Sequence, residues 1–202
     1  MPSAESFSEN AQEHGTTMKK HGTAIGLIET SSIAKGFVIA DTVLKTANVE
    51  ILVNRTICPG KYMLLIGGDV DAVNSSVEAG VRVGAHTVVD HFVIANVHPA
   101  VFPAISGVAH LPELKALGVV ESFSVASIIE AADAAVKATP IQLVCIHLAM
   151  AIGGKAWVSL TGDVASVQEA VEVAAAVVSR KGLLVEKGVI PAPRPEIVRE
   201  FV

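Results

Sequence analysis

The sequence predicts an α+β fold built from two copies of one small domain, each with the βαββαβ order of a ferredoxin-like sandwich. Three observations carry this. First, the chain repeats itself at long range. Ala-Ile-Gly-Leu-Ile-Glu at Ala24–Glu29 returns as Leu-Gly-Val-Val-Glu at Leu117–Glu121, with Gly26 answering Gly118 and Glu29 answering Glu121. At the same offset Ser32, Ala34, Ala40, Asp41 and Lys45 meet Ser124, Ala126, Ala132, Asp133 and Lys137. After a short insertion Gly60-Lys61 meets Gly154-Lys155, and Gly68-Asp69-Val70 meets Gly162-Asp163-Val164. The period far exceeds the roughly 20–50 residues of solenoid repeats, so a whole domain is duplicated. Second, short β-type apolar runs alternate with longer helical segments. Third, serine caps and Gly/Pro breaks fall at matching places in both copies.

In the first copy, Ala24–Glu29 is apolar enough for a buried strand. Ser31 or Ser32 can accept a backbone hydrogen bond as N-cap of a helix over about Ile33–Thr46. Val49–Asn54 and Tyr62–Ile66 are strands joined by a turn holding Pro59-Gly60. Gly67-Gly68 punctuates, Asp69 caps a helix from Val70 to about Val83, and Gly84 ends it. Val88–Ile94 closes the domain. The second copy follows with Ser124 as cap and Pro140 as stop. Strands come at Gln142–His147 and Ala156–Leu160, Asp163 caps a helix through about Arg180, Gly182 ends it, and Leu183–Ile190 is the last strand. The resulting boundaries are a polar, disordered tail over 1–22, a first domain over 23–107, a linker over 108–115 and a second domain over 116–202.

Hydrophobic residues make up 51% and charged residues 17%, and mean hydropathy is +0.55. Two small domains with this much apolar content need partners to bury it. A membrane is not the partner, because there is no run of about 20 apolar residues; Ile141–Ile152 is broken by Gln142 and His147 and stops at Gly153-Gly154. A net charge of −5 lacks the basic field that nucleic acid requires. The amino-terminal segment has no apolar core and is no signal peptide. With two cysteines, a reducing cytoplasm is expected.

Hydrolase, phosphate-loop and zinc motifs are absent, and the seven histidines share no ligand spacing. The expectation is therefore a protein that is not an enzyme. Ser31-Ser32 reads better as a cap than as a nucleophile. Gly67-Gly68 and Gly153-Gly154 recur as turns and are weak signals for nucleotide. Asp41/Lys45 and Asp133/Lys137 are spaced for i,i+4 ion pairs, and both lysines also sit at domain corners where a neighbour could dock. Cys145, within an apolar strand, reads as a small core residue. Cys58 differs, because Thr-Ile-Cys-Pro-Gly-Lys places it in the turn between two strands. Cysteine before proline occurs among iron–sulfur ligands. One cysteine cannot hold a cluster, but a symmetric oligomer could gather several at its axis. Without that symmetry it is an ordinary loop cysteine.

Ile-Gly-Leu-Ile-Glu-Thr, Ala-Asp-x-x-x-Lys-x-Ala-Asn-Val-Glu, Gly-Lys-Tyr-Met-Leu-Leu and Gly-Gly-Asp-Val-Asp-Ala-Val resemble the bacterial microcompartment shell domain. Two such domains in one chain resemble the tandem shell proteins whose three chains form a pseudohexagonal homotrimer. Arg-Thr-Ile-Cys-Pro-Gly-Lys, Ala-Asn-Val-His-Pro-Ala-Val-Phe-Pro-Ala-Ile-Ser-Gly and His-Leu-Ala-Met-Ala-Ile-Gly-Gly-Lys are similar to the iron–sulfur tandem shell proteins of propanediol-utilisation compartments.

The resemblance implies a shell tile, in the cytoplasm, beside other shell proteins and encapsulated redox enzymes. It implies a pore lined by Ile57, Cys58, Pro59 and Gly60 and by Ile152, Gly153 and Gly154. There three Cys58 would hold one 4Fe-4S cluster per trimer, for electron or cluster transfer across the shell. Shell-edge contacts map to Lys45 and Lys137. The family's Ile-Pro-Arg-Pro-His is replaced by Ile94-Ala95-Asn96-Val97-His98 and Ile190-Pro191-Ala192-Pro193-Arg194, which implies edge contacts that are either weaker or carried by Asn96 and Arg194. The competing readings are a metal-free trimeric pore for small molecules and a ferredoxin-like metabolite-binding regulatory domain.

Overall fold

A computed structural model describes residues 24–107, 114–149 and 152–198. The expected tail and most of the linker lie outside them. The first copy runs β1 (Ala24–Thr30), α1 (Ile33–Thr46), β2 (Val49–Ile57), β3 (Lys61–Gly68), α2 (Val70–Gly84) and β4 (Val88–Ile94), with a 3-10 turn at Ala85–Thr87. A short helix α3 (Val101–Ser106) follows. The second copy is β5 (Ala116–Ser122), α4 (Val125–Ala138), β6 (Gln142–Leu148), β7 (Ala156–Gly162), α5 (Val164–Arg180) and β8 (Leu184–Pro191), with a final turn of helix α6 (Pro195–Val198). The sheets have orders β2-β3-β1-β4 and β6-β7-β5-β8. Every strand pair is antiparallel, which is the expected split-βαβ arrangement twice over.

The repeated glycines explain how helices reach their sheets. A Cβ on Gly26 would lie 2.5 Å from Val77 of α2, and one on Gly118 would lie 2.6 Å from Val171 of α5. Only glycine lets the helix approach the central strand this closely. Ser32 is the cap of α1, its hydroxyl accepting from the Lys35 N–H at 3.3 Å. Ser124 and Asp163 cap α4 and α5 in the same way.

Several local expectations are corrected. Gly67 and Gly68 are no turn: they end β3, paired on one side with β1 and on the other with β2. Sheet hydrogen bonds on both flanks override their turn preference. Asp69 precedes α2 but makes no capping bond through its side chain. Gly84 remains helical, and the chain turns instead at Ala85, with φ +48°. The segment with Pro103 forms α3, which packs on β6. Cys145 is not a core residue. A bulge between Leu143 and Cys145 puts it opposite Ser159 on the helix-free face of the sheet, where it is half-buried. One extra residue in a strand flips every later side chain to the other face. Burial there pushes the Cys145 thiol up.

The two domains are joined through α4. One large core contains Ile25, Leu27, Met63 and Leu65 of the first sheet together with Ala126, Ile129 and Ala132 of α4. The first sheet is thus covered on both faces, by its own helices and by α4, and β1 is buried at every residue. Its counterpart β5 is fully buried only at its start and alternates thereafter, because no described helix covers the second face of its sheet.

Candidate functional site

The junction between domains is built on Glu29. This fully buried carboxylate accepts from the Lys61 ammonium at 2.6 Å. Its other oxygen lies 3.1 Å from both the Ser124 hydroxyl and the Val125 N–H, at the N-terminus of α4. A carboxylate there meets unpaired N–H groups and the positive end of the helix. Asp90 of β4 completes the seat. It accepts from Ser124 at 2.6 Å, from Ser127 at 2.7 Å and from Lys181 at 3.0 Å, and Lys181 also pairs with Glu130.

Burial pushes Asp90 up, but the bonds from Ser124, Ser127 and Lys181 outweigh it and hold the carboxyl below its ordinary range. A depressed carboxyl contributes stability that is complete above its unfolded pKa of about 3.9 and lost as pH falls through the folded value. The resistance of the wild type to urea should therefore fall as pH drops below about 4. Asp90→Asn should be less stable at neutral pH and lose less on acidification. Equal acid slopes in the two proteins would remove Asp90 from this role.

In the second copy the counterpart of Glu29 is Glu121, which pairs with Lys155 at 2.9 Å. No described helix lies on top: the Glu121 side chain is 33% exposed, where that of Glu29 is 0%. Over it opens a cavity of about 270 Å³ lined by Leu117, Val119, Glu121, Val144, Ile152, Lys155, Trp157 and Ser159. The matching contrast falls on the helices. Val125 and Ile129 of α4 are wholly buried, whereas their counterparts Ile33 and Phe37 of α1 are 38% and 61% exposed.

The predicted pore residues come together. Ile57 is buried at the end of β2, and Cys58, Pro59 and Gly60 form the turn to β3, with Cys58 half-buried. The Cys58 N–H donates to the Ala149 carbonyl at 3.0 Å, tying this turn to the end of β6. Ile152, Gly153 and Gly154 make the equivalent turn beside it. A Cβ on Gly154, at φ +84°, would lie 2.6 Å from Pro59 and 3.0 Å from the Cys58 carbonyl. The two turns thus pack directly on one another. As a metal site this offers one soft thiolate per chain, and no group of three His, Cys, Asp or Glu that could hold a metal occurs among the described residues.

The edge residues separate into two environments. Lys45 pairs with Asp41 at 2.7 Å on an exposed corner. Lys137, expected at a similar outer corner, is also exposed, and it bridges the two domains by bonding Asp133 and the Asn96 carbonyl at 2.5 Å each. Asp133 in turn accepts from the His98 N–H at 2.7 Å. Asn96 is therefore engaged through its backbone, and Arg194 is exposed beyond β8. Lys45→Ala should change stability by less than about 0.5 kcal/mol. Lys137→Ala strands a nearly buried Asp133 and should cost about 1–3 kcal/mol. Denaturant midpoints of the two variants check this, and equal midpoints would contradict it.

Sequence reasoning identified Glu29, Ser124 and Lys137 as repeat partners but missed the seat formed with Asp90, Ser127 and Lys181. The available signal was the repeat itself, which conserves Glu and Ser in both copies.

The BMC domain family matches residues 24–97 and again 116–193, and the chain belongs to this family of bacterial microcompartment shell proteins. Its place is accordingly the microcompartment shell, and no described helix is long and apolar enough to cross a membrane. The bacterial microcompartment shell protein PduT of Citrobacter freundii is 47% identical over 179 residues, which span 89% of this chain and 97% of that protein. A crystal structure of a microcompartment protein from Desulfitobacterium hafniense DCB superposes with a TM-score of 0.79 at 50% identity, covering 87% of this chain and 98% of that one. Carboxysome shell protein CsoS1A of Hydrogenovibrio crunogenus is 33% identical over 93 residues, 44% of this chain but 96% of its own. A shell protein of that length thus corresponds to one half of the tandem.

Proposed function

We propose that three copies of this chain close into a ring of six like domains, a pseudohexagonal shell tile without a reaction of its own. The observation that carries this is the second sheet, whose outer face no described helix covers. Inside the chain, the first sheet is covered by α4, with Glu29 receiving its N-terminus. The same relation applied once more puts α1 of a second copy on the second sheet, with Glu121 facing Ser32 and Ile33. A head-to-tail contact of this kind repeats until the ring closes. Light scattering at micromolar concentration should give the mass of a trimer, and a stable monomer would overturn the ring.

In such a ring the Cys58 and Gly153-Gly154 turns alternate about a central pore, because they already lie side by side in one chain. Three Cys58 thiolates would then hold one 4Fe-4S cluster per trimer. The residues fit the group in kind, since a soft thiolate on a half-exposed turn is an iron–sulfur ligand and three chains supply three of them. The bound cluster supplies one-electron transfer across the shell. The chain's own part is to hold the sulfur in place, through the Cys58 N–H bond to Ala149 and the close packing of Gly154 on Pro59. Anaerobic reconstitution should load iron and sulfide equivalent to about one cluster per trimer. A trimer that takes up no iron would leave a metal-free pore for small molecules. Other shell proteins meet the tile at its rim, where Lys45 and Arg194 are exposed, and encapsulated redox enzymes are the electron partners within the cytoplasmic compartment.

A further inference from the structure

Within the chain, Ile129 of α4 shares one core with Ile25, Leu27, Met63 and Leu65 of the first sheet. The repeat carries these residues onto Phe37 and onto Leu117, Val119, Trp157 and Ser159. Every sheet position keeps a bulky side chain except one, where Leu65 becomes Ser159. Every sheet residue of the second set lines the cavity. On the helix the change runs the other way, from Ile129 to the larger Phe37. Size removed from the sheet is thus returned on the helix.

Ser159 has a second peculiarity. It is 4% exposed, and its hydroxyl has no hydrogen-bond partner among the described residues. Nothing polar is gained there, so the use of serine at this position is its small volume. Phe37 is correspondingly prepared to project: its ring leans on Tyr62 at 5.2 Å between centroids and is otherwise largely in solvent. Tyr62 is itself seated against Gly36, where a Cβ would lie 2.4 Å from its ring.

We infer that Phe37 of one copy fills the second-sheet cavity of the next, seated over Ser159, and that this large-over-small pair is the specificity determinant of the contact between copies. The inference rests on the ring reading above. It makes the two kinds of domain contact non-interchangeable. Phe37 against Leu65 would overfill, and Ile129 against Ser159 would leave a void, and both are unfavourable in a packed core.

A double-mutant cycle on the full chain tests it, read as the trimer dissociation constant by analytical ultracentrifugation. Ser159→Leu alone should weaken assembly by at least tenfold, and Phe37→Ile alone by several-fold. The double variant Phe37→Ile/Ser159→Leu rebuilds the pair used inside the chain and should recover most of the wild-type affinity. Ser159→Ala, which removes only the unpaired hydroxyl, should assemble at least as tightly as wild type, and circular dichroism should show all four variants folded. Additive single effects, or a Ser159→Leu variant that trimerises like wild type, overturn the pairing while leaving the ring intact. A wild-type chain that stays monomeric overturns both.

Discussion

Replacing Glu29 with Ala should destabilise the chain by about 3–5 kcal/mol, the scale observed when one partner of a buried ion pair is removed. The loss has two parts. Lys61 would keep a largely buried ammonium with no counter-charge, and the Val125 N–H at the start of α4 would lose its acceptor. Both defects fall in the seam between domains, so equilibrium urea unfolding should show earlier loss of the junction. The informative control is Glu121→Ala. Its carboxylate is partly exposed and carries no helix in the single chain, so dilute, dissociated protein should lose little. At assembling concentrations the same change should weaken the trimer. If the two variants unfold alike when dilute, the asymmetry drawn between the two copies is wrong.

Substituting Cys58 by Ser should abolish iron and sulfide uptake while leaving fold and trimer nearly unchanged, because the turn's backbone is fixed by Ala149 and Gly60 rather than by the thiol. Cys145→Ser should leave uptake alone, since that residue lies on the sheet face and not at the turns. Gly154→Ala provides a second route that keeps every thiol. Its Cβ would press on Pro59 and on the Cys58 carbonyl, at a φ that alanine adopts reluctantly, and should lower cluster occupancy by displacing the sulfur. Iron analysis with electron paramagnetic resonance after anaerobic reconstitution reads all three. Equal uptake by wild type and Cys58→Ser would end the metal reading.

The α+β architecture was legible because both copies obey the same local rules. Ser32 and Ser124 cap as serines do, Gly26 and Gly118 mark close helix approach, and α1 and α5 match the spans that periodicity predicted. Three features were not legible, each for a physical reason. The bulge that turns Cys145 to the helix-free face leaves no mark in composition, because it is a register choice made by the partner strand. The bridge from Lys137 to the first domain depends on a backbone carbonyl, Asn96, which no residue pattern encodes. The seat around Asp90 gathers residues from β4, α4 and the end of α5, and only tertiary contact brings them together. Cys58 could be singled out from its turn, yet its meaning depends on copies of the chain that a single sequence reading cannot position by spacing.

In the proposed ring, carrying two domains on one chain changes the order of the assembly reaction. A ring of six separate domains forms with a sixth-power dependence on concentration, whereas three tandem chains need only the third power. Half of the domain contacts are intramolecular and form at an effective concentration on the order of millimolar, whatever the cellular supply. Tethering also frees the two halves to diverge, since neither has to match a copy of itself. One turn can then keep a cysteine while its neighbour shrinks to glycines, so that three sulfurs rather than six would meet at the centre of the proposed ring.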